Sequence, residues 1–323
     1  MTAAGRGRAA LVTGGAGFIG SHLTDRLLAE GWAVRVLDDF SSGRERNLEQ
    51  AASRIELLRG DLRDEALVAR AVADVEVVFH QAAVPSVPRS VAEPLRTHAV
   101  NVTGTLGLLE AARRAGVRRF VFAASSSAYG DTEELPKVES MPAAPLSPYA
   151  LQKYAGEVYC RLYHDLYGLE TVALRYFNIF GPRQDPQSEY AAVIPRFVTA
   201  CLRGEPPIVF GDGEQTRDFT YVADAVAANL LAADAPRAPG AVMNVAGGRR
   251  VSLNRLLADV LAITGAKLVA RHEAARPGDV RDSLADLGRA RDLLEYAPRV
   301  ELREGLRRTI ESFRRLEREV EAA

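Results

Sequence analysis

Four glycines within a seven-residue stretch constrain this chain more than any other feature. Gly14, Gly15, Gly17 and Gly20 follow the apolar run at residues 9–12, and after them Phe18, Ile19, Leu23, Leu27 and Leu28 recur at roughly helical spacing. The pattern specifies a strand, a tight turn and a helix. Gly15, Gly17 and Gly20 satisfy G-x-G-x-x-G, in which the glycines respectively allow a sharp turn, close approach of backbone to a pyrophosphate, and tight packing of helix on strand. An anion would rest on the free N–H groups at the start of the helix. Gly14, Gly17, Phe18, Ile19 and Gly20 are therefore the candidate cradle.

Glycine-rich turns also serve purely structural ends, so the context decides. The next apolar run, residues 32–37, ends in Asp38, where a carboxylate can accept hydrogen bonds from an adenosine ribose. No basic residue stands between Asp38 and Ser41, which favours NAD over NADP. Asp39, Phe40, Ser41, Ser42 and Gly43 form a polar loop suited to flank the adenosine half, followed by a helical stretch at about 47–53.

The bulk properties narrow the classes that remain. With 323 residues, 47% hydrophobic and 26% charged, the chain has the make-up of an ordinary globular protein of one large domain or two. Its net charge of -1 makes no electrostatic case for nucleic acid or a membrane surface, so any anionic ligand must be met by local residues. Cys160 and Cys201 lie in apolar helical patterns and read as buried thiols, and the five histidines show no metal-ligand spacing. No signal-peptide core and no membrane-length apolar run is seen, and the expected compartment is the cytoplasm.

Alternation of strands and helices continues down the chain. Residues 55–58 read as a strand followed by Gly60, Asp61 and Leu62; Asp61 is placed either to meet adenine or to cap the helix at 66–73. Residues 75–80 form another strand, with Gln81, Ala82 and Ala83 as a small-residue exit suited to a nicotinamide ribose and His80 as a packed side chain. A helix is expected over 94–116, its apolar stripe of Val100, Val102, Leu106, Leu109 and Ala112 interrupted by Asn101 and Thr103. Strands at 118–124 and 171–177 complete the pattern of a doubly wound parallel α/β sheet. Beyond residue 181 the proline-bearing short elements suggest a smaller mixed unit, and the charged stretch 303–319 reads as a solvated surface helix.

Tyr149 and Lys153 lie four apart, on one helical face, after Ser147 and a proline at the first helical position. A phenol is a poor base near neutrality, but an adjacent ammonium and a positively charged nicotinamide both favour phenolate. Ser125 or Ser126, after the strand at 118–124, could hydrogen-bond the reacting hydroxyl and relay its proton.

With these residues in hand, the chain resembles the extended short-chain dehydrogenase/reductase family, and within it the NAD-dependent nucleotide-sugar 4-epimerases. The resemblance runs over nearly the whole chain: the glycine turn, Asp38, His80 to Ala83, Asn101 to Thr105, the serine cluster, Tyr149 with Lys153, Arg175 to Asn178, Gly211 to Gly213 with Arg217 and Asp218, and Arg276 to Asp279. It implies a Rossmann domain at 1–180 with a returning segment at about 217–247, interleaved with a substrate domain at 181–323. It also implies a bound NAD regenerated in every turnover. In the implied mechanism Tyr149 takes the proton of the sugar 4-hydroxyl while C4 gives up hydride, and the 4-keto sugar turns over before hydride returns to its other face.

The resemblance adds Asn101 and Tyr176 to the cofactor residues. It assigns Asn178 and Arg217 to the diphosphate of a UDP-sugar, the backbone around Val193 to the uracil, and Arg276 and Asp279 to phosphate and ribose. Without the family, a surface Arg217–Asp218 pair and a surface turn at Arg276 and Asp279 are the simpler readings. Ser125, Ser126, Ser127 and Ala128 lack the acid that the family's dehydratases and decarboxylases place after their catalytic serine or threonine. Ser283 stands where epimerases restricted to glucose and galactose tend to carry a bulky aromatic, leaving room for an N-acetyl group. Ser86 and Arg89, in a loop resembling that of N-acetylhexosamine epimerases, could reach the sugar. The expectation is thus UDP-GlcNAc/UDP-GalNAc interconversion, with UDP-glucose/UDP-galactose also turned over. The alternatives are a UDP-glucuronate epimerase or decarboxylase, for which no carboxylate site stands out, and a non-catalytic NAD-binding regulator. A homodimer is implied through helices at about 101–116 and 149–168; Val158, Leu162 and Leu166 would line it or else face the protomer's own sheet.

Overall fold

The computed structural model describes residues 8–185, 192–275 and 280–321. Seven parallel strands form the central sheet: β1 (Ala9–Thr13), β2 (Ala33–Asp38), β3 (Ile55–Arg59), β4 (Val77–His80), β5 (Arg119–Ser125), β6 (Glu170–Tyr176) and β7 (Val242–Val245), in the order β7-β6-β5-β4-β1-β2-β3. This is the doubly wound Rossmann architecture. The order reverses beside β1, which pairs with β2 on one side and β4 on the other. Ligand loops gather at the carboxyl ends of strands flanking such a switch point.

Alternate residues of each strand feed two cores. Val12, Val36, Phe79, Val121 and Val172 pack with α1 (Phe18–Ala29) and, later in the chain, with α8 (Val222–Asp234) and α10 (Gly288–Leu294) on one face. Leu11, Leu37, Val78, Phe120 and Phe122 face the other way, onto α2 (Glu65–Val72), α5 (Thr105–Arg114) and α6 (Pro148–Tyr167). A third core joins α7 (Val193–Arg203), α9 (Leu253–Thr264) and α11 (Leu302–Glu321). Phe18 and Ile19, the first residues of α1, pack partly against this third core.

Several expectations need correction. The stretch 47–53 holds only single turns, at Glu45–Asn47 and Ala52–Arg54. The helix expected over 94–116 is α4 (Pro94–His98), a π-helical turn at Ala99–Gly104, and then α5. Helix α11 is not a fully solvated helix: Leu306, Ile310 and Phe313, spaced four and three apart, are buried in the third core while its charges cover the outer face. Asp64, not Asp61, caps α2, accepting from Leu67 N at 3.0 Å.

Candidate active site

The loops after β1, β2, β3, β4, β5 and β6 surround a cleft of about 1270 Å³. Single drug-sized ligands occupy pockets of roughly 300–1,000 Å³, so this cleft has room for two extended molecules. At its first end the chain leaves β1 through Gly14, whose φ of +69° lies in the left-handed region. A Cβ there would meet the Ala82 backbone at 2.8 Å, and one on Gly20 would lie 2.1 Å from the Gly14 carbonyl. Only glycine allows the start of α1 to sit this close to the strand ends. Helix α1 has no side-chain cap and no acid in its first turn, so its leading N–H groups point into the cleft without a protein anion.

Asp38 is buried and organises the neighbouring loop. Its Oδ2 accepts from Ala16 N and its Oδ1 from Phe40 N, both at 2.8 Å. Burial raises its pKa, and those two N–H donors oppose the rise. Asn47, buried and unforeseen because 47–53 reads as an ordinary helix, donates Nδ2 to the Ala16 carbonyl at 2.9 Å. Asp39, Phe40, Ser41, Ser42, Gly43, Asp61 and Leu62 line this end, the Asp61 carboxylate held by the Arg63 backbone N–H and guanidinium.

Among the described residues, three buried polar atoms on the cleft wall have no hydrogen-bond partner: Nε of Arg44, Nη1 of Arg183 and Oε1 of Gln184. The glycine cradle, the uncapped helix and these unsatisfied groups together fit an extended, anionic dinucleotide.

Beyond the cradle, Gln81, Ala82 and Ala83 form the exit of β4. Gln81, Asn229 and Tyr176 close a ring of hydrogen bonds: Gln81 Nε2 donates to Asn229 Oδ1 (3.0 Å), Asn229 Nδ2 to the Tyr176 hydroxyl (2.6 Å), and that hydroxyl to Gln81 Oε1 (3.3 Å). His80 is fully buried between Thr13 Oγ1 (2.7 Å) and Thr105 Oγ1 (2.8 Å), a packed side chain outside the cleft. Asn101, expected at the cofactor, does not line the cleft. Its amide is spent on Val84 N, Val84 O and Gln152 Oε1, so it holds the β4 exit loop against α6 from behind.

Helix α6 starts with Ser147 accepting from Ala150 N (3.2 Å) and Pro148 at its first position. A second, unforeseen contact sets its position: Tyr149 N donates to Ser90 Oγ at 3.0 Å, from the short helix α3 (Val87–Ala92). One turn on, the Lys153 ammonium lies 4.8 Å from the centre of the Phe122 ring. Ser125, at the end of β5, hydrogen-bonds the Tyr149 phenol and accepts from Ser127 Oγ at 2.8 Å. Burial pushes the phenol up to about 12, with the Ser125 hydrogen bond pulling it down, and pushes Lys153 down to about 8.

At the far end lie Ser86, Arg89, Ser126, Asn178, Arg217 and Ser283. Asn178, at φ +38°, donates Nδ2 to the Asp218 carbonyl at 2.9 Å, and Arg217 Nη1 donates to the Thr216 carbonyl at 2.9 Å. Asp218 is no surface partner of Arg217: it is fully buried, accepting from Gly247 N, Gly248 N and Ala285 N, and burial pushes it up to about 6. Through Ala285 it draws the segment carrying Ser283 against the strand carrying Arg217. Val193 opens α7 and does not line the cleft; its neighbour Ala192 does. Arg276 and Asp279 lie outside the described residues. No group of metal-ligating side chains occurs among the described residues, and no helix among them is long and apolar enough to cross a membrane.

Comparison with known proteins gives this cleft its context. The NAD dependent epimerase/dehydratase family matches residues 10–246. A UDP-glucose 4-epimerase of Mycolicibacterium smegmatis is 44% identical over 308 residues, spanning 94% of this chain and 98% of that protein. A structure of UDP-N-acetylglucosamine 4-epimerase from Methanobrevibacter ruminantium, in complex with UDP-N-acetylmuramic acid, superposes with a TM-score of 0.92 at 40% identity, covering 97% of this chain and 100% of that one. A structure of UDP-glucose 4-epimerase from Thermotoga maritima with UDP-glucose gives 0.91, again at 40% identity, over 96% and 99%. With a match that takes in every strand of the sheet but the first residue of β1, and likeness that extends to both ends of the cleft, this chain belongs to the NAD dependent epimerase/dehydratase family and has NAD as its cofactor.

Proposed function

We propose that the enzyme is a UDP-sugar 4-epimerase that interconverts UDP-GlcNAc and UDP-GalNAc and also takes UDP-glucose and UDP-galactose. The observation that carries this reading is the meeting of Tyr149, Ser125 and Lys153 with Arg217, Asn178 and Ser283 in one continuous cleft. The relatives' substrates agree with it.

NAD would lie on Gly14, Gly17 and the start of α1, with Asp38, Phe40 and the following loop at its adenosine and Gln81 to Ala83 near its other end; when bound it supplies a hydride acceptor and donor. Tyr149 takes and returns the proton of the sugar 4-hydroxyl, and Ser125, already hydrogen-bonded to the phenol, bridges the two. In this reading Ser125, rather than Ser126, is the relay, a choice that its contact with the phenol supports. Lys153, pushed down to about 8, remains mostly an ammonium near neutrality and supplies positive charge on the helical face of Tyr149. Ser126 puts no acid beside the relay, so nothing there removes a proton from a neighbouring sugar carbon. Arg217 and Asn178 grip the diphosphate, as a planar fork of donors suits its oxygens. The half-buried Ser283 leaves space at the sugar 2-position for an N-acetyl group.

The helices around α5 and α6 would pair with a second copy. Val158, Leu162 and Leu166 do not face the protomer's own sheet; they are 40%, 43% and 67% exposed.

Chromatography of the sugar nucleotide after incubation tests the function. Tyr149→Phe is expected to lose about 10²–10⁴-fold in turnover on every UDP-hexose while keeping its bound NAD. Ser283→Tyr is expected to lose UDP-GlcNAc turnover selectively. Full C4 inversion by Tyr149→Phe overturns the mechanism, and undiminished N-acetyl turnover by Ser283→Tyr overturns the gate.

A further inference from the structure

We infer that Arg175 is a positioning residue for the proton transfer: by holding Glu157 in a buried ion pair it keeps that carboxylate off Lys153 and leaves the ammonium free to act on Tyr149. The inference rests on the epimerase reading and adds to it a residue that does not line the cleft.

Tyr149, Lys153 and Glu157 follow one another at intervals of four on α6, so their side chains share a face. Lys153 and Glu157 are both buried. Opposite charges at this spacing attract one another, and away from water the attraction is strong. Yet Lys153 makes no ion pair among the described residues, its ammonium lying 4.8 Å from the centre of the Phe122 ring. The carboxylate is engaged elsewhere. Arg175, on β6, donates Nε to Glu157 Oε2 at 2.8 Å and Nη2 to Glu157 Oε1 at 2.6 Å. Two parallel charge-assisted bonds from a planar fork outcompete a single ammonium. The Tyr129 ring lies 4.5 Å from the guanidinium, and the Tyr129 hydroxyl donates to Asn244 Oδ1 on β7 at 2.7 Å, so the fork is itself held in place.

The other titratable groups around this stretch of α6 leave Glu157 as the anion that Lys153 would take. His80 on β4 is pushed down to about 3 by burial and is neutral at pH 7. The Cys160 thiol, a turn beyond Glu157, is raised by burial and stays protonated; it feels the charges of both Glu157 and Lys153, which puts those two in one neighbourhood. Glu110 on α5 is held by Arg113 and Arg114. Replacing a buried ion pair by apolar side chains of similar volume is often neutral or stabilising, so stability alone does not account for Glu157 and Arg175. A carboxylate paired with Lys153 would cancel the positive charge that favours phenolate at Tyr149. Arg175 engages that carboxylate first.

Ultraviolet difference titration of the Tyr149 phenol, with Tyr149→Phe as the blank, and the pH dependence of kcat on UDP-glucose test this on the full-length protein carrying its NAD. Arg175→Met is expected to raise the phenol by about one pH unit, the lower end of what a neighbouring charge confers, and to move the acid limb of kcat with it, a loss of about tenfold near neutrality. Glu157→Gln removes the carboxylate and should leave the titration where it stands in the unmodified protein, and Arg175→Met/Glu157→Leu should return it there. A clamp that merely tied α6 to β6 would suffer alike from the loss of either partner. A titration unmoved in Arg175→Met, or moved as far in Glu157→Gln or in the double variant, overturns the inference. Should Arg175→Met fail to fold by circular dichroism, the other two variants decide it: unmoved titrations support the inference and a displaced one overturns it. A phenol displaced in Arg175→Met alone, in a protein whose unmodified form inverts no UDP-hexose at C4, would support the role of Arg175 at Lys153 and overturn the epimerase reading instead.

Discussion

His80 shows how a single buried side chain ties this sheet to pH. It sits between two threonine hydroxyls at the end of β4, and burial pushes its pKa from an ordinary 6.5 down to about 3. The folded state thus holds the imidazole neutral where the unfolded chain would protonate it. Its contribution to stability is complete above about pH 6.5 and is lost as pH falls from there towards 3, at about 1.4 kcal/mol per pH unit. At pH 5 the cost from this one residue is about 2 kcal/mol. Asp218 works in the opposite sense: its pKa is raised to about 6, so its contribution is present at low pH and is lost as pH rises through 6. In urea unfolding at pH 7.5, 6 and 5, His80→Gln is expected to fall less steeply with acidification than the unmodified protein. Equal slopes would overturn the assignment. At this scale the sequence is readable where one residue type has one use: the glycines, Asp38, and Tyr149 with Lys153. Ser90, Asn47 and Asp218 escape because their work is done on backbone groups far along the chain, and no local spacing announces it.

Elements are legible to the extent that their period is unbroken. The strands at 9–12, 32–37 and 55–58 match β1, β2 and β3 to within a few residues because each is a short apolar run closed by a turn. The expected helix over 94–116 is interrupted at Asn101, where the widened turn lets a polar side chain reach both Val84 and Gln152. Helix α11 reads as solvated because its many charges mask a stripe of Leu306, Ile310 and Phe313 that only a period count brings out. Helix α6 is the converse case. Its inner face is spent on the sheet, through Cys160 and Tyr163, and its outer face still carries Val158, Leu162 and Leu166 in contact with water. Exposed aliphatic rows of this kind mark association surfaces. The double variant Leu162→Asp/Leu166→Asp is expected to be monomeric by light scattering while keeping its circular dichroism, since neither residue supports the protomer's core. A mass unchanged from that of the unmodified protein would overturn pairing through this face of α6.

The whole molecule is held together by the seam that also forms the cleft. The third core is fed by α7, α9 and α11, yet Phe18 and Ile19 of the glycine-led helix pack partly against it, beside Phe180 and Tyr221. The loop after β6 adds polar ties: Asp185 to Arg44, the Pro182 carbonyl to His22, and Arg183 to Asp25. The third core and the sheet that carries the glycine turn therefore share apolar surface at the point where α1 begins, and unfolding of one exposes the packing of the other. Calorimetry is expected to show one transition for the chain, and UDP alone, at about a hundred times its Kd, should stabilise that whole transition by about 2.7 kcal/mol. Two transitions, of which UDP moves only one, would mean that the seam carries too little buried surface to couple them. On the mechanism proposed above, the same coupling bears on turnover, because a sugar tethered by its diphosphate must reorient in a cleft whose two ends are walls of one packed body.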